Sequence, residues 1–282
     1  TPSTSGVVRS KTPNTARLAS TYADIRGGTT IAFVLGIPVG SAIGGLYGWR
    51  ATFVFAAILA ILASITIAWR IPSLKLPPRP QSPFSALLRT RGVLSALAAI
   101  FLGFAATFTV VSYVGPVVVA ITGASGGQVG LYQFWVGIGA LAGVPLGGML
   151  VDRGLGHAAP IGVFIVMIAT LSGYSLLIGG GSPAFASIAL ALIILIGAAA
   201  LFALIPSMQA RLVAAAPHAA PILLGVSASV IFLGQGAGAV FGGWIADHVS
   251  FKSIGFAGAA VAAAGLLFTL ASMRRVAVAP SP

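Results

Sequence analysis

Three acidic side chains in 282 residues, Asp24, Asp152 and Asp247, set narrow terms for any chemistry in this chain. Two of them close matched stretches: GGMLVDRG at 147–154 sets Asp152 beside Arg153, and GGWIADHV at 242–249 sets Asp247 beside His248. A carboxylate at the end of an apolar run can pair with a neighbouring cation or meet the free N–H groups of an adjacent helix start. A contact of that kind made in one conformation only is a latch. Covalent chemistry has little to work with. There is no cysteine, hence no disulfide and no thiolate metal site. His157, His218 and His248 are scattered, without metal-ligand spacing. No HExxH, paired intramembrane Asp, phosphate-binding glycine loop beside a lysine or Ser-His-Asp set occurs. Neither an enzyme nor a cofactor is expected. What remains is uncharged: Phe104, Thr107, Phe108, Ser112 and Tyr113 in FLGFAATFTVVSYVGP, then Phe202, Pro206, Gln209 and Gln235. Gln235 is the strongest single candidate, because an amide in an apolar medium must find a partner.

The elements that carry these residues follow from composition. The chain is 58% hydrophobic and 6% charged, with a mean hydropathy of +1.06. A soluble domain carries about 25% charged residues, so there is too little charge to cover a water-facing surface, and the class is an all-α polytopic membrane protein. A bilayer core of about 30 Å asks for about 20 apolar residues per helix. Eight such runs lie near 29–47, 50–69, 93–121, 127–150, 159–179, 183–212, 219–246 and 253–273. Pro116 and Pro206 are expected kink points in two of the longer ones. The resulting layout is a polar basic tail at 1–28, two helices at 29–69, a basic proline-rich linker at 70–92, a six-helix bundle at 93–273 and a tail at 274–282.

Charge supports the count. With eight crossings, thirteen of the fifteen basic residues fall on the face that holds both termini, and only Arg50 and Lys252 fall on the other. Basic residues collect on the cytoplasmic side, which places both termini there in a cell (inner or plasma) membrane. A net charge of +12 spread over short loops excludes a nucleic-acid face, which needs clustered cations among aromatics. The expected partners are the lipid bilayer, a small-molecule solute and protons.

Double glycines recur at 44–45, 147–148 and 242–243, on the first, fourth and seventh runs. Copies three helices apart are inverted relative to one another, the plan of triple-helix repeats in secondary transporters. Each copy lies on a small-xxx-small stripe that lets helix backbones approach in lipid: Gly36, Gly40, Gly44 and Gly45; Gly143, Gly147 and Gly148; Gly234, Gly238, Gly242 and Gly243.

Together these residues resemble a known family. Gly27, Gly36, Gly40-Ser41 and Gly44-Gly45 are similar to the fifth-helix antiporter motif of the major facilitator superfamily, which has Pro where Ser41 stands. GIPVG followed by GWR resembles its drug and sugar efflux branch, the arabinose-efflux-permease-like proton antiporters. GGMLVDRG is similar to the copy of the family's loop motif between helices eight and nine, whose Asp-Arg forms a cytoplasmic gate contact; Asp152 and Arg153 match, and the basic residues that follow are replaced by Gly156 and His157. PSMQARLVAAAP and LGQGAGAVFGGWIADH are similar to helices ten and eleven. The resemblance covers about 27–273 and implies a partial major-facilitator fold whose eight helices are numbers five to twelve of twelve. It implies a central cavity lined by Phe104, Thr107, Phe108, Tyr113, Phe202, Gln209 and Gln235, which would suit a drug-like or sugar-like solute. Gly36, Gly40, Gly44, Gly45, Asp152 and Arg153 become the conformational motif. The implied function is proton-coupled efflux by alternating access; the alternative is a truncated, non-transporting membrane scaffold, and the chain begins on Thr, as a fragment or processed product would.

Overall fold

The computed structural model describes residues 36, 39–40, 42–70, 84–90, 92–124, 126–180 and 182–277. Asp24, Gly27, Pro38, Ser41, the tail 1–28, most of the first apolar run and residues 71–83 of the linker lie outside them. Nine α-helices are described in full: α1 (Trp49–Arg70), α2 (Phe84–Arg89), α3 (Val93–Val111), α4 (Val114–Thr122), α5 (Gly126–Asp152), α6 (Ala159–Leu177), α7 (Pro183–Ala215), α8 (Ala220–His248) and α9 (Ile254–Ala277). Among the described residues, seven helices are long and apolar enough to cross a membrane. The chain is an all-α polytopic membrane protein.

The apolar runs from 50 onward correspond to these helices within a few residues. Gly48, at φ +83°, occupies the left-handed region that glycine enters without penalty, and it separates the helical residues 42–47 from α1. The run 93–121 is two helices rather than one. The break falls at Ser112-Tyr113, just before Pro116. A proline has no N–H and its ring crowds the carbonyl four residues back, here that of Ser112. The chain therefore turns at that point and restarts with Pro116 in the first turn of α4. Pro206 lies inside α7 and Pro145 inside α5, and both helices run on past them. Two boundaries differ from expectation. Within the stretch expected as a linker, α2 forms, with Leu87 buried at the start of the bundle. The last helix continues to Ala277, past the expected tail boundary at 274.

The helices alternate in direction. Gly173 packs on Ile193 and Gly197 on Thr170, so α6 and α7 are antiparallel. Gly103 meets Leu204 while Gly92 lies near Ala215, so α3 and α7 are antiparallel. Two parallel pairs form the closest seams. On α5, a Cβ added at Gly139, Gly143 or Gly147 would strike the carbonyl oxygen of Leu195, Ala199 or Ala203 on α7. On α8, the same holds for Gly234, Gly238 and Gly242 against Phe101, Ala105 and Thr109 of α3. Each seam repeats every four residues on both helices. The most extensive contacts, α5 with α7, α3 with α8, α3 with α9, α6 with α9, α6 with α7 and α3 with α7, map onto themselves when α3, α5 and α6 are exchanged for α7, α8 and α9. That is a three-plus-three repeat.

The repeat is inverted. The C-terminal part of α5 runs alongside that of α7, which lies at the end where α3 begins. The C-terminal part of α8 runs with that of α3, toward the opposite end. Gly147-Gly148 and Gly242-Gly243 therefore lie toward opposite faces of the bundle. In the first stripe, Gly40 and Gly44 pack on Thr52 of α1, whose hydroxyl donates to the Gly40 carbonyl at 3.2 Å, whereas none of the described residues stands within 4 Å of a Cβ at Gly36 or Gly45. That stripe is thus a two-glycine contact. No residue of α1 is buried, and its Phe53, Ile61 and Leu62 are exposed, as a surface in contact with lipid would be.

Candidate solute cavity

A cavity of about 1380 Å³ runs through the six-helix bundle between α3, α5, α6, α7 and α8. Its axial order follows from the helix registers. At the end shared by the C-termini of α5 and α7, the wall carries Asp152 and Gln209. In the middle stand Phe104, Thr107, Phe202, Pro206 and Gln235. At the far end are Val114, Ile194 and Tyr174, placed level by the packing of Gly173 on Ile193. Fifteen residues separate Ile194 from Gln209, which at 1.5 Å each makes this stretch about 22 Å long.

The elements account for the placement. Phe104 and Phe108 sit one helical turn apart on α3 and their rings stack at 6.3 Å with 29° between planes; Thr107 shares that face, as the period of 3.6 requires. Gly234 and Gly238 draw α8 onto α3, which brings Gln235 from the side of that seam into the wall. Gly148 is adjacent to the α5–α7 seam but not part of it: it has open space beyond it and lines the cavity.

Six of the seven residues expected on a cavity wall, Phe104, Thr107, Phe108, Phe202, Gln209 and Gln235, line this one. Tyr113 does not. Its hydroxyl donates to the Ala239 carbonyl of α8 at 2.9 Å, because the turn before Pro116 directs the ring sideways onto the small face at Gly243. Asp152 lines the cavity at the end of the α5 and α7 C-termini and is exposed there, while Arg153 is exposed and off the wall. Among the described residues the two form no ion pair. Asp247 is exposed at the opposite end of the bundle, and His248 stacks on Trp244 and meets its carbonyl at 3.1 Å.

Met167, Thr170, Leu171 and Tyr174 of α6 also line the cavity and were not anticipated. Thr170 and Tyr174 are mid-run polar residues of the same kind as those singled out on α3, so the residue type was visible. Their direction was not. The wall is predominantly apolar. Among the described residues Asp152 is its one charged side chain, and no Lys, Arg or His belongs to it. The Thr107 and Thr170 hydroxyls donate to carbonyls of their own helices, Gly103 at 3.1 Å and Val166 at 2.9 Å, so each offers only an acceptor. The Gln209 and Gln235 amides are half-buried and have no hydrogen-bond partner among the described residues. Pockets that take small molecules have this character, an apolar surface with a few polar groups that orient the guest.

An inverted three-plus-three bundle built around a cavity is the architecture of a secondary transporter. The chain belongs to the major facilitator superfamily: the model of that family, described as Major Facilitator Superfamily, matches residues 1–220. It is similar to the Inner membrane transport protein YdhP of Escherichia coli (strain K12), 29% identical over 262 residues, which are 91% of this chain and 65% of that protein. The protein of the same name from Escherichia coli O157:H7 is 29% identical over 260 residues with the same coverage. The chain thus spans just under two thirds of the length of these relatives.

Proposed function

We propose that this chain is the larger part of a secondary active carrier that exports a drug-like or sugar-like small solute across the cell membrane, coupled to protons, by alternating access. The observation that carries the reading is the cavity, whose amides, Gln235 at mid-depth and Gln209 at the Asp152 end, have no partner among the described residues. Half-buried amides without partners cost free energy, and a guest that completes their hydrogen bonds recovers it. Membership in a transporter family and likeness to inner-membrane transport proteins support the direction of the inference. The distribution of Lys and Arg supports a cytoplasmic location for both termini. Asp152, at the inner mouth, belongs to the conformational motif: unpaired with Arg153 here, it is free to form its contact when the inner mouth narrows.

Flux in proteoliposomes with an imposed pH gradient is the direct measurement. Export of a fluorescent drug-like dye should follow the gradient and stop when an ionophore collapses it. Flux that ignores the gradient removes proton coupling; no flux of any dye or sugar tested leaves a membrane scaffold. If Asp152 is a latch, Asp152→Asn changes the rate at which a thiol reagent labels His157→Cys. Unchanged labelling sinks the latch and leaves the transport reading intact.

A further inference from the structure

The far end of the cavity holds a hydroxyl that none of the described residues uses. Tyr174 is 5% exposed and lines the cavity, and among the described residues its hydroxyl has no hydrogen-bond partner. Among the described residues no fully sealed side-chain oxygen lacks a partner, so this oxygen keeps some open space, and the space its residue lines is the cavity. The surrounding wall is Met167, Leu171 and Ile194, with Gly197 leaving room beside Thr170. The Thr170 hydroxyl is committed to its own helix. Tyr174 is therefore the one free hydroxyl donor at this end. Asp152 stands on the level of Gln209, about 22 Å away along the bundle, and a charged group brought to the Tyr174 end would be desolvated with nothing to pair it.

We propose that α6 forms a blind chamber of the cavity that takes a neutral, apolar moiety bearing a hydrogen-bond acceptor such as a carbonyl oxygen, with Tyr174 as the donor that selects it. A phenol hydroxyl donates strongly and holds one guest acceptor. The chamber distinguishes two guests of one shape by whether they carry that acceptor. This rests on the cavity being a solute site, but it concerns α6, which that reading does not require.

The test uses the whole chain in lipid nanodiscs with benzophenone, an apolar ketone that inserts into nearby C–H bonds under long-wavelength light. Labelled positions are located by mass spectrometry of peptides. Label is expected between Met167 and Tyr174. It is then competed by phenyl benzoate and by 1,2-diphenylethane, two compounds of like shape of which only the first has a carbonyl. Tyr174→Phe keeps the ring and its packing. The potency of phenyl benzoate relative to 1,2-diphenylethane should fall about 3- to 10-fold in the variant, the size of one neutral hydrogen bond. Partitioning into lipid cancels, since both proteins sit in the same bilayer. An unchanged ratio, in a variant that melts as the wild type does, overturns the role of Tyr174. Label confined to the segments around Phe104 and Gln235 overturns the chamber while leaving the solute cavity standing. No label at any cavity segment overturns both. Should the variant not fold, the wild-type label position still decides whether the chamber binds.

Discussion

Two tyrosines in this bundle have opposite circumstances, and the difference is set by one bond. The Tyr113 hydroxyl is spent on the Ala239 carbonyl at 2.9 Å, which ties the turn between α3 and α4 to α8. Removing it in Tyr113→Phe should lower stability by about 0.5–1.5 kcal/mol, read as a reduced melting temperature in detergent, with solute affinity preserved. The glutamines should respond in the reverse sense. Gln235→Leu deletes an amide that has no partner among the described residues, so stability should hold or rise slightly. Transport affinity should fall about tenfold, the cost of one or two lost hydrogen bonds to the guest. A loss of stability with unchanged affinity would show that Gln235 serves packing instead.

At the scale of the element, the glycines divide into those whose Cβ has somewhere to go and those whose Cβ does not. Gly143 and Gly238 lie directly over carbonyl oxygens of Ala199 and Ala105. Alanine at either position must push two helices apart, and overpacking of this kind costs about 1–3 kcal/mol. Gly45→Ala meets none of the described residues and should be neutral or stabilising by up to about 1 kcal/mol, since alanine favours the helix. Melting temperatures of the three variants check the contrast. The seam variants should also fall by like amounts, because Gly143 on α5 and Gly238 on α8 occupy equivalent places in the repeat. A large gap between them would show that the two seams are not equally tight.

For the whole molecule, the consequence is topological. The end that holds Gly92, Ala215 and Asp152 also holds Arg89 and Arg153, while Lys252 follows α8 at the other end. The 282-residue chain has no cysteine, so single cysteines introduced into it report cleanly. In intact cells, a membrane-impermeant maleimide should label Lys252→Cys and spare His157→Cys. In inverted vesicles the pattern should reverse. Labelling of both from one side would break the alternation on which the inverted repeat rests.

The sequence by itself determined that the chain crosses a bilayer, where most helices begin and end, and that glycines recur at repeat positions. Each of these is a one-dimensional property: helix length matches bilayer thickness, charge collects by side, and glycine spacing survives folding unchanged. Only the tertiary structure decided which way side chains face. Lipid tails and protein interior are comparably apolar, so hydropathy does not mark the inner face of a membrane helix as it does in water. Tyr113, expected on the cavity wall, thus turned out to pin two helices together. Tyr174, which no pattern distinguished, lines the cavity with no hydrogen-bond partner among the described residues. The same blindness hid the split of the third run at Ser112-Tyr113, because a proline near a helix start announces a disturbance but its neighbours choose where the backbone turns.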